Sequence, residues 1–416
     1  MSPAAALLWA MSVSTERSVE AAVGGRFETL VGVVPDTSFV DARASVAFAV
    51  VPVAGLEIQR DRYELAVLYR PRAYWRFPNP VDMSRPLLLH QAALTHRLDL
   101  TTRTSWNNHF DGSIGEVDYT LASIVFDPTQ PTVPNDSVTK LVRFNASTGL
   151  GHQLTHRAST GLTLAASYSA PLDRTENPTY FTSLGASAEP FYRYVLGGRD
   201  QAALAAGVGY AWFQDASNYL FVTPNLTWTH TFNRQTEGSI AGGVAYVHAL
   251  DSSELSDTEA GDTDVTPTAE VELRSRAYGE RGFYVDAGGT AEYRWFLDPI
   301  LGRPVRRAGG GLFAQVELPP DWTAGAAVSF FTTVGESAFE PLDETRFVRR
   351  DGTMLRIDAP VTYRLSDLLG LEFGVRSNLR GPPVSEGLDF DRVELWFYGA
   401  LRVVFDPKDR ESGWAR

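Results

Sequence analysis

The chain of 416 residues contains no cysteine. A protein without thiols crosses an oxidising compartment unfolded without forming wrong disulfides, so this absence suits an exported protein. Past its N-terminus the chain also lacks any run of about 18 uninterrupted apolar residues, the length that a helix needs to cross a bilayer. The sequence therefore excludes helical membrane spans, although 44% of its residues are hydrophobic.

Lysine is almost missing as well. Of the 37 basic residues only Lys140 and Lys408 are lysines, and the rest are arginines. The planar, forked side chain of arginine suits networks with carboxylates, and a GC-rich coding bias produces the same composition. The net charge of -13 disfavours nucleic acid as a partner, because a phosphate backbone repels an acidic protein.

What is present is an alternation with a period of two, which is clearest in residues 264–297. Apolar side chains occupy every second position from Val265 to Leu273, and polar or charged side chains lie between them as far as Arg276. After a polar turn the alternation resumes, with apolar residues at every second position from Phe283 to Leu297. The pattern predicts a β-hairpin with one apolar and one charged face.

The length of this hairpin indicates where it lies. Strands of soluble proteins run about 5 to 6 residues, whereas a strand that crosses a bilayer needs roughly 9 to 11. Both arms of this hairpin are long enough to cross a bilayer. Tyr293 and Trp295 near one end of the apolar face are typical of an aromatic girdle at a lipid interface. We interpret the hairpin as one unit of a transmembrane β-barrel that is charged inside and apolar outside.

The same alternation recurs along the whole chain. It predicts an all-β protein with a single transmembrane antiparallel up-and-down β-barrel of about 18 strands, with about 16 as the alternative. Short and longer connections alternate, as expected when the short turns lie on one side of the membrane. We expect the barrel to occupy residues 26–405, between an N-terminal segment 1–25 and a C-terminal tail 406–416.

Two local features bear on the lumen. The pattern predicts a short turn at Thr95–Arg97 and places its longest interruption at residues 107–137, which either extends strands beyond the membrane or folds into the pore. Small inward residues would leave the lumen open beside one strand. These residues are Ala205, Gly207, Gly209 and Ala211.

From about Arg26 to Phe405 the chain resembles a bacterial outer-membrane β-barrel of porin type. Such barrels often end on an aromatic residue that the assembly machinery reads, and here Phe405 closes the last strand while the tail 406–416 displaces the end signal. The resemblance implies an integral outer-membrane location, both termini in the periplasm, and outer-membrane lipid and the barrel-assembly machinery as partners. The size and the arginine-rich interior also resemble barrels that let polysaccharide leave the cell together with a periplasmic export protein.

The N-terminal segment fits export. The apolar run Ala4–Met11 has no basic residues before it. It predicts the end of a secretory signal whose start lies upstream, with Ala21 and Ala22 near the cleavage point. Segment 1–25 is therefore expected to be a signal-peptide remnant or a periplasmic N-terminus.

Charged residues on the predicted inner face are the candidate transport path. Lipid-facing arginine at mid-depth costs about 2 to 4 kcal/mol, so these charges are expected in the lumen. They form either an ion-pair lattice that stiffens the wall or a mixed-charge path that selects a polar solute, and both can hold together. The predicted lumen-lining residues are Glu270, Glu272, Arg274, Arg276, Asp286, Glu292, Arg294, Glu317, Arg356, Asp358, Arg364, Glu372, Arg376, Arg392, Glu394 and Arg402.

Catalytic signals are weak. The seven histidines lack the Glu-x-x-His spacing of a metal site. His230 and His248 fall on the apolar side near strand ends, where interfacial packing explains them. Ser105 and Ser113 lie near His109, but a nucleophile also needs an oriented base and an oxyanion donor. No catalytic residue, enzyme activity or cofactor is predicted.

The acidic stretch 251–264 is the candidate for a hard cation such as Ca²⁺. It lacks the Asp-x-Asp-x-Asp-Gly spacing of a dedicated site, so a solvated surface loop is the interpretation and no metal ligand is predicted. Its acidic residues are Asp251, Glu254, Asp257, Glu259, Asp262 and Asp264.

The sequence favours a channel for hydrophilic solute, with export of a secreted polysaccharide as the most specific version. The rival from another class is a non-conducting outer-membrane barrel that acts as adhesin, receptor or structural anchor through its extracellular loops. A surface-exposed barrel enzyme is a third alternative, which predicts that replacing one histidine or serine abolishes an activity while the barrel stays intact.

Overall fold

The computed structural model of the chain describes residues 18–35, 42–78, 85–118, 138–172, 181–252, 259–278, 283–298, 302–318, 321–334, 339–343, 346–349, 352–366, 368–384, 387, 390 and 392–404. The elements that it assigns in these ranges are β-strands. In the same ranges no helix is long and apolar enough to cross a bilayer.

Period-two alternation over many residues is what makes these segments strands, since successive side chains then meet two different environments. The strands in chain order are β1 Ser18–Pro35, β2 Ala42–Arg60, β3 Tyr63–Tyr69, β4 Arg72–Phe77, β5 Leu87–Thr101, β6 Thr104–Asp118, β7 Val138–Gln153, β8 Ala158–Pro171, β9 Ser183–Val195, β10 Asp200–Phe213, β11 Tyr219–Thr231, β12 Thr236–Ala249, β13 Thr263–Tyr278, β14 Tyr284–Asp298, β15 Arg303–Leu318, β16 Trp322–Val334, β17 Phe339–Asp343, β18 Arg346–Arg349, β19 Thr353–Arg364, β20 Leu369–Gly381 and β21 Arg392–Val404.

The described strands close into a barrel. Antiparallel ladders connect neighbours in chain order, and β1 pairs with β21 to complete the circle. β3 and β4 pair with β2 in the same register, so together they fill one strand position of the barrel. They are separated because Pro71 between them has no N–H to give to a ladder. The 19-stranded sheet therefore has 18 strand positions, which confirms the larger predicted count. β17 and β18 form a separate hairpin.

The two ends of the barrel differ. One end, here called the turn end, carries close connections such as residues 61–62, 102–103 and 232–235, and both the start of β1 and the end of β21 lie there. The other end, the loop end, carries longer connections such as residues 250–262. The predicted alternation of short and long connections is confirmed for most connections, but the loop-end connections β10–β11 and β14–β15 are about as short as the turns.

Two predicted boundaries are wrong. Thr95–Arg97 lies inside β5, and the turn is formed by Thr102 and Arg103 instead. The interruption predicted to start at residue 107 begins only after β6, and its remainder, 119–137, lies outside the described residues. Threonine is a good strand former, so this turn does not interrupt the pattern. It is closed by the Thr101 hydroxyl, which accepts a hydrogen bond from the Arg103 N–H at 3.1 Å.

The first strand starts earlier than expected. β1 begins at Ser18 rather than at Arg26, so Ala21 and Ala22 lie within a barrel strand. Its early residues pair with β2 from Ser18 opposite Gln59 onward. Segment 1–17, Phe405 and the tail 406–416 lie outside the described residues.

The outer face of the barrel is apolar. Exposed leucine, valine and isoleucine side chains cover it, and aromatic residues lie on this face near the turn end. Trp322 of β16 packs on Tyr363 of β19 there, with ring centroids 4.5 Å apart. β10 and β12 each run 14 residues, longer than the roughly 9 to 11 that cross a bilayer. An apolar band edged by aromatic residues is the exterior that lipid requires.

The buried core lies inside the barrel, toward the loop end. On β12 the inward side chains Ala245 and Val247 are 0% and 2% exposed, whereas Ser239 and Ala241, nearer the turn end, are half-buried. The same gradient appears on β1 and β2, where Leu30 and Ala47 are buried. The lumen is therefore wetter toward the turns and packed toward the loops.

Candidate functional site

The strand pairing decides which residues face the lumen. Residues opposite each other in an antiparallel ladder share a face, and Arg274 of β13 bonds Asp286 of β14 on the inner one. Following the ladders from this pair places fifteen of the sixteen predicted lumen residues on the inner face of their strands, while the side chain of Arg392 lies outside the described parts. They do not form one site, since they fall into two clusters and several separate positions.

The first group, here the hairpin cluster, lies on β13 to β15. Arg274 Nε is 3.0 Å from Asp286 Oδ1, and Arg276 lies 3.9 Å from the same carboxylate. Arg294 Nε is 3.3 Å from Glu292 Oε1. Arg307, which the sequence pattern did not single out, also bonds Glu292 and is only 1% exposed.

The second group, here the seam cluster, lies where the barrel closes. Arg26 of β1 donates two hydrogen bonds of 3.0 Å to Glu372 of β20, and Arg376 of β20 donates one of 2.6 Å to Glu28 of β1. β21 runs between these strands, and its Tyr398 donates to Glu372 at 3.1 Å. The Arg376 guanidinium carbon stands 4.0 Å from the centre of the Tyr398 ring. Two reciprocal ion bridges thus cross the last strand and join its neighbours.

Other charged groups extend the seam cluster. Asp358 lies 3.6 Å from Arg376 and 3.9 Å from Arg356, and Arg402 lies 3.8 Å from Glu372. These are the predicted residues of β19 to β21 that the structure brings together.

The remaining predicted residues are separate from both clusters. Glu270 is exposed to the lumen, and Glu272 lies further along the same strand toward the turn end. Arg364 is at the turn-end rim, where it bonds Asp321 at 2.8 Å, and Glu317 lies near this rim. At the loop end, Glu394 accepts a hydrogen bond from Asn378 at 3.1 Å, and Arg392 stands opposite Arg380 in the ladder.

An arginine row at β3 and β4 was missed. Arg70, between the two strands, and Arg72 and Arg76 of β4 occupy inward positions, with Tyr74 between the last two, and Arg72 and Arg76 are buried. Even-numbered spacing on one face carried the signal in the sequence. Across the lumen, β8 to β12 present a run of small uncharged residues. It includes Ala165, Ser187, Thr227, Ser239 and Ala241.

The loop-end part of hairpin β14–β15 leaves the wall. The β13–β14 ladder stops at Ala269 opposite Tyr293, whereas the β14–β15 ladder continues to Asp298 opposite Arg303. Pro267 lies in the unpaired part of β13, where its missing N–H costs no ladder bond to β14. Residues 294–298 and 302–305 are here called the hairpin tip, since Arg306 and Arg307 still pair with β16.

The hairpin tip bends into the lumen. Trp295 packs on Phe221, an inward residue of β11, with ring centroids 5.0 Å apart. Gly302 approaches the loop residue Ala216 so closely that a Cβ on the glycine would lie 2.6 Å from the alanine Cβ. Arg306 bonds Asp264 on the inner face of β13. The predicted role of Trp295 in a lipid girdle is therefore wrong, because its strand curls away from the wall.

The expected opening beside β10 is also wrong in part. Gly209 faces inward, but a Cβ there would lie 2.2 Å from the Phe221 ring, and Ala211 is buried. These small residues make room for aromatic side chains rather than for water. The inner apolar cluster on which Phe221 and Trp295 pack consists of Phe181, Ala211, Phe213, Ala216, Tyr219, Val247 and Ala249.

The candidate catalytic groups do not assemble. His109 Nε2 lies 3.2 Å from Asp111 in the lumen, but within the described part of the chain its buried Nδ1 has no hydrogen-bond partner. Neither Ser105 nor Ser113 therefore forms the nucleophile–base bond that a triad requires. His230, as expected for a strand end, is held by Asp200 at 2.8 Å.

Metal ligands do not assemble either. His152 and His156 have a His-x-x-x-His spacing, but His152 lies near the end of β7 and bonds Thr104, while His156 is in an exposed turn. Glu254 and Asp257 of the acidic stretch lie outside the described residues. Among those that are described, no three potential ligands are grouped to hold a metal ion.

No protein-family model matches the chain, and no curated protein matches it. Among solved structures, a BenF-like porin from Pseudomonas fluorescens Pf-5 is 10% identical, with a TM-score of 0.42 over 94% of this chain and 99% of that one. The outer membrane protein opdK from Pseudomonas aeruginosa is 8% identical, with a TM-score of 0.43 over 93% and 98%. The FrpB iron transporter from Neisseria meningitidis is 9% identical, with a TM-score of 0.46 over 91% and 64%.

Proposed function

We propose that the protein is a bacterial outer-membrane channel for hydrophilic solutes. The observation that carries the proposal is the closed 18-strand barrel with an apolar outer face and a charged inner face. A closed barrel satisfies every backbone hydrogen bond in lipid, and charge on the inner face is stable where water, a polar solute or an ion-pair partner reaches it. The turn end faces the periplasm in this proposal, and outer-membrane lipid and the barrel-assembly machinery are the partners.

The lumen charges support selection among solutes. One side, from β19 through β21 to β4, is lined by arginines with fewer carboxylates, while Glu270 and Glu272 face the water on β13. Charged side chains that line a pore set its ion selectivity through their field. In this proposal the charged residues of both clusters stiffen the barrel wall through ion pairs and also line the path of the solute.

Single-channel recording of the purified protein in planar bilayers tests the proposal. The intact protein is expected to conduct, and Glu270→Gln is expected to shift the reversal potential in a salt gradient toward anion preference. Asp200→Asn removes the same charge from the outer face and is the matched control, since Asp200 bonds the outward His230. A protein that inserts and never conducts contradicts the channel.

Export of a secreted polysaccharide, with a periplasmic export protein as partner, is the most specific version of this function. The arginine side of the lumen supports it, because guanidinium groups bind carboxylates of acidic sugars bidentately. An acidic oligosaccharide added at the turn end is then expected to interrupt the ion current in discrete events. A current that stays unchanged at all concentrations argues for smaller solutes.

The second candidate is a non-conducting barrel that acts as adhesin, receptor or anchor. The packing of the loop-end half of the lumen favours it, since Leu30, Ala47 and Val247 are buried there. This function predicts that the purified protein conducts no ion current in planar bilayers. It also predicts that intact cells bind a partner through the protein, and that this binding is lost when loop-end residues are replaced.

A further inference from the structure

Five neighbouring turns at the turn end each carry one exposed arginine, and these five residues are here called the arginine arc. The strand order places the turns next to one another around the barrel. The turns β15–β16 and β19–β20, residues 319–321 and 365–368, contain no arginine, and the turn 279–282 lies outside the described residues. The arc consists of Arg62 in β2–β3, Arg103 in β5–β6, Arg157 in β7–β8, Arg199 in β9–β10 and Arg234 in β11–β12.

An exposed apolar residue accompanies the arginine in four of these turns. It precedes the arginine by three residues after β5, β7 and β9, and by two residues after β11. On the outer faces of the same strands Trp106, Tyr194 and Trp228 lie a little further from the barrel end, at the level of an interfacial girdle. Each turn thus presents an apolar group and a cation where the headgroup layer begins. The apolar residues are Leu100, Leu154, Leu196 and Phe232.

The arginine side chains are not needed to build these turns. In β9–β10 and in the arginine-free turn β19–β20, Leu196 or Leu365 donates its N–H to the carbonyl four residues later, at 2.9 Å in both. The residue three positions after this leucine is Arg199 in one turn and Leu368 in the other. The same backbone geometry therefore forms with and without the cation.

The guanidinium groups of the arginine arc are available to a partner. Within the described part of the chain none of the five forms an ion pair with another residue. Asp200, next to Arg199, instead bonds Trp228 at 3.1 Å and His230 at 2.8 Å. The chain as a whole carries a net charge of -13, so the arc is a local concentration of the opposite sign. It therefore attracts an anion.

We propose that the arginine arc binds anionic phospholipid headgroups in the leaflet at the turn end. Guanidinium forks bind phosphate oxygens bidentately, and a cation beside an anionic membrane surface is attracted to it. The leucine or phenylalanine of each turn inserts at the acyl boundary while the arginine reaches the phosphate, as long cationic side chains do at interfaces. These apolar groups on the lipid side of each turn favour a lipid over an acidic protein as the occupant.

This inference rests on the proposed outer-membrane location, and the proposed orientation makes the leaflet the periplasmic one. The binding itself is independent of conduction, so it can be measured in a barrel that passes no current. It predicts that anionic lipid gathers on one side of the barrel only.

Fluorescence quenching in phosphatidylcholine vesicles tests the proposal. The chain has no cysteine, and Gly197 has open space around it, so Gly197→Cys carries a single fluorophore within the arc. Phosphatidylglycerol with a spin label on its acyl chain is expected to quench it more strongly than phosphatidylcholine labelled in the same way. Arg199→Gln is expected to lower this preference about two- to fivefold, and Arg157→Gln in addition to lower it further.

The turn β19–β20 provides the matched control. Ser366→Cys carries the fluorophore one residue after Leu365, as Gly197→Cys does after Leu196, and the two lipids are expected to quench it equally. Leu368→Arg adds a cation at the position that corresponds to Arg199. It is expected to raise the preference for phosphatidylglycerol at this turn about two- to fivefold.

Equal quenching by both lipids at Gly197→Cys overturns the proposal in favour of an acidic protein as the occupant. A preference that survives Arg157→Gln together with Arg199→Gln overturns it as well, because the arginines then do not cause it. Lipid preference in a barrel that never conducts supports the arginine arc and rejects the channel. Conduction without lipid preference rejects the arginine arc and leaves the channel standing.

Discussion

At the residue scale, close approach inside the wall decides which side chains fit. Trp396 of β21 faces the lumen and is nevertheless 0% exposed, because its ring lies over Gly32 of the neighbouring β1. Trp396 belongs to an apolar cluster at the loop end that includes Leu30 and Tyr74. A large aromatic residue can lie flat on the wall only where the opposite residue has no side chain.

Gly32→Ala is expected to destabilise the barrel. The added Cβ would lie 2.0 Å from the Leu395 carbonyl oxygen and 2.8 Å from the Trp396 ring, so the backbone must shift. Overpacking of this kind costs about 1 to 3 kcal/mol. Urea unfolding of the refolded protein measures it. Gly25→Ala on the same strand is the control, since its nearest neighbour would be 3.7 Å away, and equal midpoints for both variants would contradict the argument.

At the element scale, each strand separates lipid from lumen by alternation alone. Val271 points outward and is 47% exposed, while its neighbour Glu270 points into the lumen. The two faces of β13 therefore have opposite tolerances for charge.

Val271→Arg is expected to cost about 2 to 4 kcal/mol, because a charge at mid-depth on the lipid face loses its hydration. Glu270→Arg places the same side chain in the lumen and is expected to cost far less. Unfolding free energies in lipid vesicles compare the two. Similar losses in both variants would mean that the assigned faces of β13 are incorrect.

The seam cluster, which joins β1 and β20 across β21, is also an element-scale feature. Glu28→Gln removes the partner of Arg376 in a buried pair, and breaking such a pair costs about 3 to 5 kcal/mol. Urea unfolding of the variant gives the value. The exposed pair Arg97–Asp99 on β5 is the control, and Asp99→Asn is expected to change stability by about 0 to 1 kcal/mol. A larger loss of stability for Asp99→Asn than for Glu28→Gln would contradict the stabilising role of the seam cluster.

At the scale of the whole molecule, the barrel has two unlike ends. The start of β1 and the end of β21 share the turn end, so the orientation of one connection fixes that of the others. The proposed periplasmic position of the turn end is therefore testable at any connection.

A peptide tag after Gly261 at the loop end is expected to bind antibody on intact cells, and a tag after Gly198 in a turn only after the outer membrane is permeabilised. Both glycines have open space around them, so the insertions disturb no packing. Fluorescence of labelled cells is the readout. The reversed pattern would mean that the turn end faces outward.

The sequence by itself determined the fold class, the strand number and the inner face. Alternation with a period of two is local, and lipid and lumen impose opposite chemistry on the two faces of each strand. That is why the alternation alone assigns Glu270, Arg376 and the other charged candidates to the lumen. The turn at Thr102 was not predicted, because threonine is common in strands and in turns alike.

Only the tertiary structure decided which charges meet and which strands leave the wall. Arg26 and Glu372 are 346 positions apart, and nothing local couples them until the barrel closes. Trp295 occupies an apolar position of the alternation whether β14 stays beside β13 or bends inward. The pattern does not distinguish the two conformations, and it therefore predicted a place in a lipid girdle. The choice depends on where the β13–β14 ladder ends and on the contact with Phe221, and both are set by strands distant in sequence.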